Sequence, residues 1–276
     1  MSANIVIREI DGTGEMRAVE GLQKEVWGLP DLDVVPLTQL VAAKAAGGVL
    51  IGAFDREILI GFVYGFAGYE NGHATHHSHM LAVKPEYRDF GVGYKLKREQ
   101  REFVLALGIT EMTWTFDPLR SLNAHFNFGR LGAVSDRYLV EFYGIDAASF
   151  LHRNGTDRLW VSWPLASRRV EERLKNIASE VAEETIARLV ESDENNVPLV
   201  NSINFENAPE HLSIEVPTDI SSIEQLDSEL AAQWRSSTRA AFSSAFDAGF
   251  FATEFIRGQT SGTYILRRKR EGSNVN

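Results

Sequence analysis

Two glycines stand two residues apart directly before a predicted helix, in the segment Arg88-Asp89-Phe90-Gly91-Val92-Gly93. Glycine permits a tight turn, and the first amides of a helix have no acceptor inside that helix. These amides lie at the positive end of the helix dipole, an arrangement that holds phosphate or pyrophosphate. Paired glycines are also common in loops, so the turn alone does not distinguish a phosphate site from an ordinary entry into a helix. Its position between the strand 77–83 and the helix 94–107 favours a phosphate site.

Two histidines, His77 and His79, stand on the strand before this turn. Side chains alternate along a strand, so both are predicted to share one face with Leu81 and Val83. An imidazole has a pKa near ~6.5 and exchanges protons at neutral pH. The pair is predicted to act as a base or as a water-linked proton relay. A structural or substrate-lining role stays open beside it.

A metal site is the third possibility, because His73 and His76 lie on the same stretch as His77 and His79. No carboxylate stands at a spacing that would complete such a ligand set. The prediction is therefore that these histidines hold no metal.

Arg235 and Arg239 stand four residues apart on a predicted helix and share a face. The planar fork of arginine suits a carboxylate, so the two are candidate ligands for an acidic group of a substrate. The alternative is that they pair with acids of the protein while the neighbouring stripe of Trp234, Thr238 and Phe242 packs inside. Both interpretations stay open at this point.

The elements that must position these residues give an α+β pattern with α/β/α layering and a mixed sheet. Periodicity and turn residues predict Thr38 as the N-cap of the second helix. The predicted elements are strand 4–10, helix 15–26, helix 38–46, a hairpin of strands 49–55 and 58–66, strand 76–83, helix 94–107, strand 113–116, helix 122–131, and strands 138–143 and 158–163.

The chain changes character after residue 163. A charged helix is predicted over 168–194, followed by strands 199–205 and 212–216, a helix 223–248, and the strands 250–256 and 263–267. We therefore expect two domains, residues 1–165 and 166–276. The second is a smaller α+β region that lines the substrate site or a dimer interface.

Composition places the chain among ordinary globular proteins. Its 276 residues are 44% hydrophobic and 24% charged, and its 28 Lys and Arg against 38 Asp and Glu give a net charge of −10. Such a surface repels phosphate backbones, so nucleic acid is not an expected partner. The absence of cysteine excludes disulfides, thiolate metal ligands and a thiol nucleophile. No apolar window reaches the ~18 residues of a membrane span, and we expect a cytoplasmic protein.

Arg88, Gly91 and Gly93 occupy the defining positions of a motif R/Q-x-x-G-x-G/A, and the segment resembles that of the GNAT acyltransferases. The segments 114–119 and 123–133 resemble the fifth strand and following helix of that family. Together with 156–159 and 232–242, they resemble a longer bacterial group of predicted GNAT acetyltransferases with an extra C-terminal region.

The resemblance implies a sheet whose fourth and fifth strands splay apart around an acyl-CoA. It implies that backbone amides at the turn hold the pyrophosphate, that main chain of the fourth strand pairs with the pantetheine arm, and that Asn123 faces the cofactor. The cofactor-binding residues so implied are Leu81, Ala82, Val83, Arg88, Asp89, Phe90, Gly91, Val92, Gly93, Tyr94 and Asn123.

The activity implied is N-acyl transfer, with acetyl the expected group, by direct attack of a small amine or amino acid in a ternary complex. Succinyl transfer and a non-catalytic acyl-CoA-binding role are the alternatives, and a homodimer is a possible assembly. His77 and His79 resemble a His-x-His pair of the arylalkylamine branch. Where many relatives carry a tyrosine that protonates the thiolate, this chain has Phe128. Tyr143 is the candidate substitute, or the thiolate leaves unassisted, as its pKa near ~8.5 permits.

Overall fold

The computed structural model describes residues 4–144, 154–177 and 186–270. Two compact units divide the described chain, the first up to residue 114 and the second from residue 115 onward. The domain boundary expected at residue 165 stays a prediction.

Unit 1 contains three α-helices and a five-stranded sheet, whose fifth strand continues for two residues past the boundary at residue 114. Strands β1 to β4 are antiparallel neighbours in chain order, and β5 joins the far side of β4 in parallel. Its elements are β1 (Ile5–Glu9), α1 (Gly12–Trp27), a 3₁₀ turn (Asp31–Asp33), α2 (Leu37–Ala45), β2 (Val49–Asp55), β3 (Ile58–Glu70), β4 (His73–Val83), a 3₁₀ helix (Pro85–Phe90), α3 (Val92–Ala106) and β5 (Glu111–Phe116).

The predicted elements of unit 1 are all present, and one cap differs. α2 begins at Leu37 and Pro36 precedes it, so Thr38 lies within the first turn and is not the N-cap. Proline fits this position because its φ is already close to the helical value and it has no N–H to satisfy.

The helices of unit 1 lie on both faces of its sheet. α1 and α2 bury an apolar cluster that includes Val19, Leu40 and Phe62. Gly61 is the neighbour of Phe62 on β3 and so faces the other way, where a Cβ would lie 3.4 Å from Leu96 of α3. α3 therefore covers the face opposite to α1 and α2.

Unit 2 is built on a seven-stranded sheet in the order β7-β6-β11-β12-β10-β8-β9. All neighbours are antiparallel except β10 and β8, which are parallel. After β5 the elements are α4 (Ser121–Ala124), a π-helix (His125–Leu131), β6 (Val134–Leu139), β7 (Arg158–Pro164), α5 (Arg168–Leu174), β8 (Ile186–Ser192), β9 (Pro198–Val200), a 3₁₀ turn (Phe205–Asn207), β10 (His211–Pro217), α6 (Ile220–Leu226), α7 (Ser228–Asp247), β11 (Phe250–Arg257) and β12 (Ser261–Arg268).

The long helix expected over 168–194 is wrong. α5 ends at Leu174, and Ile186–Ser192 forms β8, a strand paired with β10. Ile186, Leu189 and Val190 have helical spacing, but the same residues satisfy a strand once another strand supplies the backbone hydrogen bonds. Residues 178–185 of that predicted helix lie outside the described residues.

Three further boundaries in unit 2 differ from expectation. The helix predicted over 223–248 is two helices, because Asp227 leaves helical geometry and its carboxylate accepts the Leu230 amide as the cap of α7. β6 stops at Leu139, before a turn in which Glu141 has a φ of +50°. β9 stops at Val200, well before residue 205.

Candidate active site

The site predicted from the sequence lies at a fork between β4 and β5. The ladder between these strands consists of His76 opposite Met112 and His77 opposite Thr113. β3 pairs with the other side of β4 along its whole length, up to Gly61 opposite Val83. Within unit 1, the β5 side of β4 is therefore open from Ser78 to Val83, and the strands splay as expected.

A bulge in β4 decides which way its side chains face. Tyr64 lies opposite Met80 and Gly65 opposite Ser78, so His79 is an extra residue with no partner in the ladder. An extra residue reverses the alternation beyond it. His79 and Met80 both lie on the α1 and α2 side, where Met80 joins the apolar cluster.

The bulge corrects one expectation about the site. Leu81 and Val83 do not share a face with His77 and His79, because their side chains lie on the α3 side. A Cβ added at Gly93 of α3 would be 3.8 Å from Leu81 Cδ2 and 3.9 Å from Val83 Cγ2. The side chains of Leu81 and Val83 thus lie against the start of α3, while Ala82 packs in the core.

His77 and His79 form a half-buried cluster of rings with Phe66. The ring centroids are 6.3 Å apart between the histidines, 5.5 Å between Phe66 and His77, and 5.7 Å between Phe66 and His79. His77 Nδ1 is 3.1 Å from Thr113 Oγ1, across the ladder. Burial, with smaller contributions from His79 and Lys97, lowers the pKa of His77 to about 4, and burial lowers the pKa of His79. Both rings are neutral at neutral pH, the form that can accept a proton.

The other two histidines of β4 are placed elsewhere. His76 is fully buried on the α3 face, with Nε2 3.2 Å from Gln100 Nε2. His73 is exposed, with Nε2 3.0 Å from Glu111 Oε2. In the described part of the chain, no group of three histidine, aspartate or glutamate side chains is placed to hold a metal ion.

The glycine turn is a short 3₁₀ helix that leads straight into α3. Gly91 has a φ of +67°, a conformation that other residues rarely adopt, and α3 begins at Val92 rather than at Tyr94. No side chain caps α3, and no described residue accepts a hydrogen bond from the amides of Val92 or Gly93. These donors therefore point out of the helix at its positive end.

The side chains of the turn lie mostly in solvent. Arg88, Asp89 and Phe90 are exposed, and Arg88 Nε donates to the Val83 carbonyl at 3.4 Å. Tyr87 anchors the turn through its hydroxyl, 3.0 Å from Asp55 Oδ2.

Three expected site residues belong to unit 2. Asn123 is exposed on α4. Phe128 is fully buried in the π-helix, with its ring 6.2 Å from that of Phe116 and 5.6 Å from that of Tyr264. Tyr143 lies in the turn after β6, with its hydroxyl 3.4 Å from Thr115 Oγ1, and its role as an acid stays a prediction.

Both arginines of α7 hold carboxylates of the protein. Arg235 is buried and grips Asp117 with Nη1 to Oδ1 at 2.8 Å and Nη2 to Oδ2 at 2.9 Å. Arg239 donates to Asp157 through Nε to Oδ2 at 2.8 Å and through Nη2 to Oδ1 at 2.9 Å. The neighbouring stripe of Trp234, Thr238 and Phe242 is fully buried. A substrate carboxylate would have to displace a protein carboxylate from either guanidinium group, so we leave Arg235 and Arg239 out of the proposed site.

A polar cluster on the α3 side of the fork was not predicted from the sequence. Lys97 of α3 is buried, and its Nζ donates to Ser78 Oγ at 2.9 Å and to Gln100 Oε1 at 3.3 Å. The same Nζ lies 3.6 Å from Met112 Sδ and 3.8 Å from the Trp114 ring centre. The signal was available, because Lys97 and Gln100 share helical spacing with the buried Val104.

Comparison with protein families finds a match for the segment that contains β4, the glycine turn and α3. Residues 16–132 match the model of the acetyltransferase (GNAT) family. This segment of the 276-residue chain is thus similar to a GNAT acetyltransferase domain. Comparison with curated proteins found no match.

Solved structures of acetyltransferases resemble part of the chain. The ribosomal-protein-S18-alanine N-acetyltransferase from Escherichia coli is 12% identical, covers 59% of this chain and 95% of its own, and has a TM-score of 0.47. A GNAT acetyltransferase from Streptococcus pneumoniae is 14% identical, with 58% and 98% covered and a TM-score of 0.45. The aminoglycoside 6′-N-acetyltransferase from Enterococcus faecium is 16% identical, with 59% and 98% covered and a TM-score of 0.45.

Among residues 4–144, 154–177 and 186–270, no helix is both long enough and apolar enough to cross a membrane.

Proposed function

We propose that the protein is an acyl-CoA-dependent N-acyltransferase that acetylates the amine of a small molecule or amino acid. The observation that carries this proposal is the open edge of β4, which leads from the fork directly to the uncapped start of α3. The family match of residues 16–132 supports acetyl transfer as the chemistry.

The diphosphate of coenzyme A is proposed to bind the amides of Gly91 to Gly93, where the helix dipole favours negative charge. The pantetheine arm then lies along Leu81 to Val83 and takes up hydrogen bonds of their main chain. Arg88, Asp89, Phe90 and Tyr94 border the same turn. Asn123 remains a proposed contact on the basis of the family resemblance.

Acceptor activation is proposed for His77 and His79. An amine is mostly protonated at neutral pH and must lose a proton before its lone pair attacks the thioester carbonyl. Both imidazoles are neutral, and they share one face of β4 beside the fork. They can accept that proton directly or through water.

The test is release of free thiol from acetyl-CoA and succinyl-CoA in the presence of a panel of amines and amino acids. His77→Ala and His79→Ala should each lower the turnover about 10²-fold or more while calorimetric acetyl-CoA binding stays unchanged. His73→Ala is the matched control, because His73 is exposed at the far end of β4. Unchanged turnover in both test variants would eliminate the histidines as the base.

A non-catalytic acyl-CoA-binding role is the second candidate. It is favoured by Phe128, which is fully buried among rings and which the family resemblance places where many relatives carry a tyrosine that protonates the thiolate. Tight acetyl-CoA binding without thiol release across the whole panel would establish this alternative over the enzyme.

A further inference from the structure

Lys97 occupies the point where β4 and β5 separate. Its Nζ contacts Ser78, the first residue of β4 beyond the ladder, and also Met112 and Trp114 of β5. The side chain is 2% exposed. A lysine amine is therefore held inside the protein at the fork that the proposed function assigns to the acyl donor.

The reach of the donor places its sulfur near Ser78. The pantetheine arm has the length of about four to five extended residues, roughly 15 Å. A strand advances ~3.4 Å per residue, so an arm that starts beside Val83 ends about four residues back along β4. That position is His79 and Ser78, where Lys97 Nζ bonds the serine hydroxyl.

The two faces of β4 separate the groups that handle protons. His77 and His79 lie on the α1 and α2 face, whereas Ser78 and Lys97 lie on the α3 face. The histidines and the Ser78–Lys97 pair therefore form two separate proton-handling groups, one on each face of β4.

We propose that Lys97, acting through the hydroxyl of Ser78, supplies the proton that the departing thiolate of coenzyme A takes up. This inference rests on the proposed function. The amine nitrogen bonds to the carbonyl carbon, the carbon–sulfur bond breaks with its electron pair on sulfur, and one proton leaves the nitrogen for a histidine. The Ser78 hydroxyl turns from Gln100, gives its proton to sulfur and receives one from Lys97 Nζ. Exchange with water then restores the neutral histidine and the lysine ammonium.

The electrostatic setting suits this exchange. Burial lowers the pKa of Lys97 well below its ordinary value, and a thiolate beside it favours the ammonium. Among the titratable groups of β4, His76 lies on the same face as Lys97, and His77 interacts with it electrostatically from the opposite face; burial lowers their pKa values to about 3 and about 4. A titration of turnover in the alkaline range therefore does not come from these two histidines.

The experiment follows thiol release from acetyl-CoA, with the panel amine that the wild-type chain uses fastest, from about pH 6 to 10. The variants are Lys97→Met and Ser78→Ala, with Lys95→Met as the matched control because Lys95 is exposed on the same helix. Circular dichroism and thermal unfolding establish that each variant is folded, and Ser78→Ala decides if Lys97→Met is not.

Both test variants should lose about 10²- to 10⁴-fold in kcat with the KM for acetyl-CoA unchanged. The wild-type kcat should fall as rising pH removes the lysine proton, and Lys97→Met should lack that fall. A merely structural role would not remove it. The same fall in wild type and Lys97→Met, or a Ser78→Ala variant with normal kcat, would overturn this inference alone. A wild-type chain that releases no thiol with any amine would overturn the proposed function with it.

Discussion

Truncation of Asp117 tests how unit 2 is held together. Asp117 Oδ1 accepts both Arg235 Nη1 at 2.8 Å and the Leu119 amide at 3.0 Å, while Oδ2 accepts Arg235 Nη2 at 2.9 Å. Asp117 is 7% exposed and Arg235 is 5% exposed. Asp117→Ala therefore removes two charge-assisted hydrogen bonds and leaves a guanidinium buried without its carboxylate.

The expected loss is about 3–5 kcal/mol in the free energy of unfolding, the cost of removing one partner of a buried pair. The lost bond to the Leu119 amide contributes about 1 kcal/mol of this. Asp117→Asn keeps an acceptor and should lose less. The double variant Asp117→Leu with Arg235→Met should be more stable than the sum of its single variants, because each single variant leaves one member of this buried pair without the other.

The assay is urea unfolding followed by circular dichroism, with Glu172→Ala as the control. Glu172 also pairs with an arginine, Arg168, at 2.6 Å, but the Arg168 side chain is 91% exposed, and such pairs contribute about 0–1 kcal/mol. If Asp117→Ala lowers the unfolding free energy no more than Glu172→Ala does, the account of Arg235 as a buried clamp is refuted.

Three further predictions concern the proposed site. Gly91→Ala should weaken acetyl-CoA binding about tenfold. Gly12→Ala is the control and should not weaken it, because Gly12 lies at the start of another helix with a φ of +69°, close to the +67° of Gly91. Equal effects of the two substitutions would contradict the phosphate role. Lys97→Met should stabilise the fold more at pH 7 than at pH 10. The pKa of Lys97 is lower in the folded than in the unfolded chain, so the cost of burying the lysine fades as the pH rises toward the unfolded-state pKa. A difference in urea midpoints that does not change with pH would contradict this. Phe128→Tyr should lower stability by about 1–3 kcal/mol because its hydroxyl enters an apolar core, while the exposed Phe90→Tyr should be neutral; a stable Phe128→Tyr with raised turnover would contradict the assigned burial.

The sequence predicts unit 1 well because its signals are local. Hairpin strands, an amphipathic helix and a glycine turn each depend on a few neighbouring residues. The placement of His77 and His79 on one face follows from simple alternation. The bulge at His79 could not be predicted this way, since it appears only in the register against β3, and it moves Leu81 and Val83 to the opposite face.

Unit 2 shows where local patterns fail. Ile186, Leu189 and Val190 fit a helix by spacing, and only pairing with β10 makes them a strand. The partners of Arg235 and Arg239 lie 118 and 82 residues away in the sequence, so their occupation by Asp117 and Asp157 has no local signal. The preference of arginine for carboxylates therefore does not show which carboxylate a given arginine binds.

Calorimetry with acetyl-CoA and with acetyl-pantetheine tests most directly the claim that the start of α3 holds a diphosphate. The two compounds share the thioester and the arm, but only acetyl-CoA carries the nucleotide diphosphate. One acetyl-CoA should bind per chain, and acetyl-pantetheine should bind at least about tenfold more weakly. No heat with acetyl-CoA, or equal affinity for the two compounds, would contradict it.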